Sequence, residues 1–188
     1  MRLQLDYYFL TSESVWEVVN PDSSSPTTVL EDKLQELTTK GLILRQALNN
    51  WSTTFHQWSQ TTSTPITTPQ SLLATIYYHA ISIFLSGIFD YRPQFVYINA
   101  PSLPQNIVQY HVDAILSSTE RALKATSLGG VLFFFPLRVA GARVTTEEEA
   151  GRIVKMLREI SKRSFVVADA FTADLTELWE HKGVGLIS

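Results

Sequence analysis

No cysteine occurs among the 188 residues of this chain. That excludes disulfide staples, zinc held by thiolates and a thiolate nucleophile together. Charge is sparse as well, with Asp, Glu, Lys and Arg making up 18% of the residues, against roughly 25% in average proteins. The net charge of −3 shows no basic footprint for nucleic acid. Residues 1–100 carry five basic and eight acidic side chains, and residues 101–188 carry ten of each. A secretory signal is not visible, because Met1-Arg2-Leu3-Gln4-Leu5-Asp6 is interrupted too early to supply an apolar core.

The familiar catalytic motifs are missing too. The histidines at 56, 79, 111 and 181 are scattered and match no metalloprotease spacing. Gly129-Gly130 is isolated and forms no phosphate-binding loop, and no nucleophile elbow is present. No metal site and no cofactor is therefore expected. Internal repeats, coiled-coil heptads and alternating strand patterns are absent as well, which leaves helices.

What the chain does have is apolar residues, 45% of the total. They concentrate in Pro69–Tyr91, where Leu72, Leu73, Ile76, Tyr77, Ala80, Ile81, Ile83, Phe84 and Ile88 cover most of a helical wheel. A helix apolar nearly all round is central in a bundle or sits in lipid. His79, two tyrosines and several hydroxyls argue against lipid, as does the lack of basic anchors before the helix. Thr68 is placed to cap it and Pro69 suits its first position. One narrow polar stripe remains: Ser71, Thr75, His79, Ser82 and Ser86. It either admits a neighbouring helix closely or lines a polar slot in an apolar core.

The flanking segments follow the same period. Residues 1–26 read as an arm and loop, with a short helix opening at Thr11–Ser14 and aromatic residues that pack back onto the body. Apolar steps of three and four predict a helix over 28–59, with Glu31 and Asp32 in its first turn and Gly41 marking a kink or break. Residues 92–101 form a connector between prolines, and 103–125 a helix. In 128–144 the run Phe133–Phe135 should be buried, while Pro136 forbids a regular helix across the whole segment and starts or kinks one. Thr145 to Glu148 reads as a capping box for the next helix, whose inner face is Ala150, Ile153, Val154 and Leu157. A last helix over about 166–180 turns Phe171, Leu175, Leu178 and Trp179 inward before Gly183 ends it. The expected fold is all-α: a single helical-bundle domain of six or seven helices around a central buried helix at about 69–90. Its domain spans 1–188, with 1–26 as arm and loop and 27–188 as helical body.

Two histidines stand out. His79 lies on the polar stripe of the central helix, and His111 falls beside the apolar arc of its own helix, near Ile107 and Ile115. Each could be a core histidine bonded to a carbonyl or hydroxyl. Alternatively, both face one internal cavity and contact a ligand or act as an acid–base pair. Tyr77 and Tyr78 offer further polar handles. Arg138, between apolar neighbours, needs a carboxylate, helix-terminal carbonyls or a ligand as its counterpart. Arg152, Lys155, Arg158, Lys162 and Arg163 read as a solvated face rather than a nucleic-acid stripe.

The segment Phe135-Pro-Leu-Arg-Val-Ala-Gly-Ala-Arg143 precedes an acid-capped helix, then Phe165-Val-Val-Ala-Asp-Ala170 and Leu178-Trp179. With Leu73-Ala-Thr-Ile-Tyr-Tyr-His-Ala80 and the helix from His111 to Leu123, it resembles the fungal-specific transcription factor domain. That is the C-terminal regulatory region of fungal zinc-cluster regulators. The resemblance covers about Ser71 to Trp179. It implies an all-helical regulatory domain that gates activity and senses effectors or partners, in the nucleus or cytoplasm. The six-cysteine DNA-binding cluster of those regulators has no counterpart in this sequence.

Two functions of different class follow. One is a regulatory-type module holding a small hydrophobic ligand or a protein partner, or a second copy of itself, without direct DNA binding and without a membrane span. Its expected ligand contacts are Thr75, Tyr78, His79, Ser82, His111 and Arg138. The other is a cofactor-independent isomerase or cyclase of fungal secondary metabolism, with His79 and His111 as its catalytic pair.

Overall fold

The computed structural model describes residues 27–62, 68–125, 130–163 and 165–184. Among them are six α-helices, one short 3-10 turn and no strand. In chain order these are α1 (Thr27–Thr61), α2 (Pro69–Asp90), the turn Pro93–Phe95, α3 (Gln105–Ala125), α4 (Val131–Gly141), α5 (Glu147–Lys162) and α6 (Val167–Lys182). The all-helical class read from the apolar period is what the chain adopts. The N-terminal arm and its short helix lie outside the described residues.

Helix α2 starts where its sequence places it. The Thr68 hydroxyl accepts from the Ser71 N–H at 3.2 Å, and the Thr68 carbonyl accepts from Leu72 N–H at 2.9 Å. One unpaired donor of the first turn is thereby satisfied by a side chain. Leu72, Ile76, Ala80 and Ile83 are buried, and so are Ser71, His79, Ser82 and Ser86 of the polar stripe. Among the described residues α2 is the one helix long and apolar enough to cross a bilayer. Here 56% of that apolar window is buried inside the protein.

Packing divides the chain into two units, one from Met1–Trp51 with Leu85–Ser102 and one from Ser52–Phe84 with Leu103–Ser188. In the first, Leu34, Leu37 and Thr38 form the buried stripe of α1, and Phe89 and Phe95 meet edge to face at 4.9 Å between centroids. Helix α1 runs unbroken through Gly41, so the break into two helices that its glycine could mark does not occur. The glycine serves close approach instead: a Cβ there would come within 2.6 Å of Phe89 Cζ and 2.7 Å of Pro101 Cγ. Arg45 Nη2 donates to the Pro101 carbonyl at 2.9 Å beside it. Because α1 begins at Thr27, Glu31 and Asp32 fall just past its first turn.

The second unit holds the larger core. Helix α3 packs on α4 and α5, α4 on α5 and α6, and α5 on α6. Ile76, Ile83, Ile115, Leu116, Phe133, Leu137, Ile153, Leu157, Ile160 and Trp179 are its largest fully buried side chains. Helix α4 corrects the reading of Pro136, which sits inside a continuous helix. A proline there removes one backbone bond, to the carbonyl four residues back, at about 3 kcal/mol. Burial of Phe133, Phe134 and Leu137 offsets it at about 1.5–3 kcal/mol each. Phe135, expected to be buried with them, is half-buried, against Tyr77 and Phe84.

The capping box lies one residue later than expected. Thr146 is the cap, its hydroxyl accepting from Glu149 N–H at 3.3 Å, while Glu149 Oε2 accepts from Thr146 N–H at 3.2 Å and Thr145 N–H at 3.1 Å. Helix α6 ends at Gly183, which takes the left-handed conformation (φ 70°) that favours glycine. Its Trp179 donates through Nε1 to the Gly141 carbonyl at 2.8 Å, satisfying the end of α4.

Candidate functional site

The buried polar stripe of α2 meets α3 at one point. His79 and His111, 6% and 5% exposed, approach Nδ1 to Nδ1 at 2.6 Å, with ring centroids 4.9 Å apart. A hydrogen bond between two ring nitrogens needs one donor and one acceptor. The donor imidazole therefore carries a proton on Nδ1, and the acceptor has a bare Nδ1 and its proton on Nε2, an assignment made from the bond itself.

Two tyrosines enclose the pair. Tyr78 lies 5.0 Å from the His79 ring and 5.9 Å from the His111 ring, and Tyr110 lies 5.7 Å and 5.6 Å from the same rings, all roughly edge to face. Tyr78 is half-buried, whereas Tyr110 is largely exposed and forms the outer side of the cluster. Burial, with His111 and His56 as further positive neighbours when charged, pushes His79 down to about 3. At neutral pH His79 is thus uncharged. Its neutral ring can exchange a hydrogen bond or a proton with an uncharged polar group, but it offers no fixed charge to an ion.

The other stripe residues are held locally. Thr75 donates to the Ser71 carbonyl at 2.9 Å, and Ser82 is buried at 1% exposure one turn beyond His79. The structure therefore brings His79, His111 and Tyr78 together, with Thr75 and Ser82 along the same helix. Arg138 joins none of them. It stands on α4, where Nη1 pairs with Asp174 Oδ2 at 3.2 Å and the guanidinium lies 5.7 Å from the Phe171 centroid. Asp174 is the carboxylate counterpart its sequence position called for.

Sequence reasoning overlooked Tyr110. Its signal was adjacency to His111, which composition alone does not separate from an ordinary surface tyrosine. Three of the five basic residues read as a solvated face meet acids. Arg152 forks onto Glu120 at 2.9 and 3.3 Å, and Lys162 and Arg163 each lie 3.9 Å from Glu159. Among the described residues no group of three or more His, Asp or Glu is arranged to hold a metal ion.

Comparison with known families gives one match: the model described as fungal specific transcription factor domain, over residues 11–185. No curated protein and no solved structure matches the chain.

Proposed function

The chain belongs to the fungal specific transcription factor domain family, and from that premise we propose that it is a regulatory module responding to a small hydrophobic ligand. The ligand meets the His79–His111 pair, with Tyr78, Thr75 and Ser82 beside it. The single observation that carries this reading is the 2.6 Å contact between two buried imidazole nitrogens.

Its chemistry favours one ligand group. A hydroxyl both donates and accepts, so it can enter between the donor Nδ1–H and the acceptor Nδ1 and satisfy each. The nitrogens then part to about two hydrogen-bond lengths, since each N···O contact needs about 2.9 Å. His79 rides on α2 and His111 on α3, so that separation moves one helix against the other. An apolar body supplies the affinity and the hydroxyl supplies the signal. An ionised group is disfavoured there, because a buried charge would face a neutral ring.

The same pair would serve a cofactor-independent isomerase or cyclase as a proton relay. The regulatory reading is preferred because the family whose model matches is one of transcription factor domains. The expected place of action is the nucleus or the cytoplasm. These 188 residues hold no cysteine and so no six-cysteine zinc cluster through which to touch DNA.

Native mass spectrometry of the purified chain tests the proposal. A bound molecule carrying a hydroxyl, present on the wild type and lost from a folded H79F/H111F variant, is the expected result. Retention of the molecule by that variant would overturn the site. Conversion of the molecule by the wild type alone would transfer the pair to the enzyme reading.

A further inference from the structure

A second place in the same unit has the makings of a ligand site and shares no residue with the histidine cluster. Helices α4 and α6 line an open groove of about 500 Å³, with Arg138 and Ala142 on one side and Asp174, Leu175, Leu178 and His181 on the other. That volume falls within the range of small-molecule sites, about 300–1,000 Å³. Leu175 is buried at the base and Leu178 half-buried, so the floor is apolar.

Arg138 sets the chemistry at the rim. Its guanidinium is held by the Phe171 ring and by Asp174 through Nη1, and no other bond to it occurs among the described residues. A guanidinium has five N–H donors in a planar fork. The edge formed by Nε and Nη2 remains available to a planar acceptor with two oxygens. Outside the lining, Lys182 Nζ donates to the Ala142 carbonyl at 2.5 Å, which leaves Arg138 as the groove's own guanidinium. Asp174 and Glu177 line the opposite rim. They repel anions, a doubly charged phosphate more than a singly charged carboxylate.

We infer that this groove binds a carboxylate-bearing amphiphile, its carboxylate on the open edge of Arg138 and its alkyl body over Leu175 and Leu178. An alkylammonium, which would instead seek Asp174 and Glu177, is the competing chemistry that the test must separate.

Calorimetric titration of the full chain with octanoate, octanol and octylamine decides it, carried out in the folded H79F/H111F background so that octanol has no histidine pair to enter. Octanoate is expected to bind at least tenfold more tightly than either of the others. The R138Q variant should lower octanoate to the level of octanol, R138K should recover only part, and D174N should tighten it by removing the competing carboxylate. Arg138 and Asp174 are both 59% exposed, so these variants keep the fold, and circular dichroism verifies it. The H79F/H111F variant should bind octanoate as the wild type does, which keeps this outcome separate from that of the histidine site. Equal affinity for octanoate and octanol, preference for octylamine, or an R138Q variant that binds octanoate normally would each overturn the inference.

Discussion

His79 Nδ1 lies 2.6 Å from His111 Nδ1, and the contact admits one proton between the two nitrogens, never two. If both Nδ1 atoms were protonated, two donors would face each other in a buried site, and the bond between α2 and α3 would become a repulsion. The pair therefore ties the packing of two helices to the protonation and bonding state of two rings.

Acid sensitivity follows from the sign of that linkage. His79 is lowered from 6.5 to about 3 by burial first, then by His111 and His56. Between those values the unfolded chain binds a proton that the folded chain excludes. This contribution is complete above about pH 6.5 and is lost as pH falls, at a slope of at most about 1.4 kcal/mol per unit. Urea unfolding at neutral pH and at about pH 5 should show a larger loss for the wild type than for H79F/H111F. Equal losses would contradict the assignment.

Two glycines in helices should respond in opposite directions. Alanine in place of glycine gains about 1 kcal/mol of helix propensity. At Gly151 a Cβ meets nothing within 4 Å, so G151A should stabilise by about 0.5–1 kcal/mol. At Gly41 the same Cβ collides with Phe89 and Pro101, both buried and unable to swing away. Overpacking costs about 1–3 kcal/mol, so G41A should be a net loss. Thermal unfolding checks both, and a stabilised G41A would mean that α1 does not lie against Phe89.

The register of the capping box is testable with two threonines. T146A should cost about 1 kcal/mol, the usual worth of such a cap. T145A should cost little, because it is the backbone N–H of Thr145, not its side chain, that bonds to Glu149. Chemical denaturation of the two variants would expose the opposite order if the helix started one residue earlier.

Much of the fold was legible because burial and period agree. Thr68-Pro69 followed by an all-round apolar run marks a helix, its histidine and hydroxyls favour a bundle interior over lipid, and Gly183 marks a helix end by its own conformational freedom. The misreadings share a cause, which is tertiary context. Thr145–Glu148 and Thr146–Glu149 both satisfy the spacing of a capping box, and only the chain path before the helix selects the second. Pro136 breaks a helix in isolation, but Phe133, Phe134 and Leu137 are buried around it and hold the turn. Gly41 looks like a break until Phe89, 48 positions away in sequence, is found against it. In the candidate site, His79 and His111 were visible as polar residues on apolar helices. Tyr110 was not, since nothing in its own turn marks it. Arg138 was grouped with the histidines because a sequence carries no distances.

The most direct measurement is nitrogen-15 NMR of the two imidazoles in the intact protein near neutral pH, before and after addition of the molecule extracted from it. His79 should be uncharged, one of the two Nδ1 atoms should be protonated and the other bare, and both rings should shift together when the molecule is added. Two rings that titrate independently near the value of free histidine, and that ignore the molecule, would contradict the account.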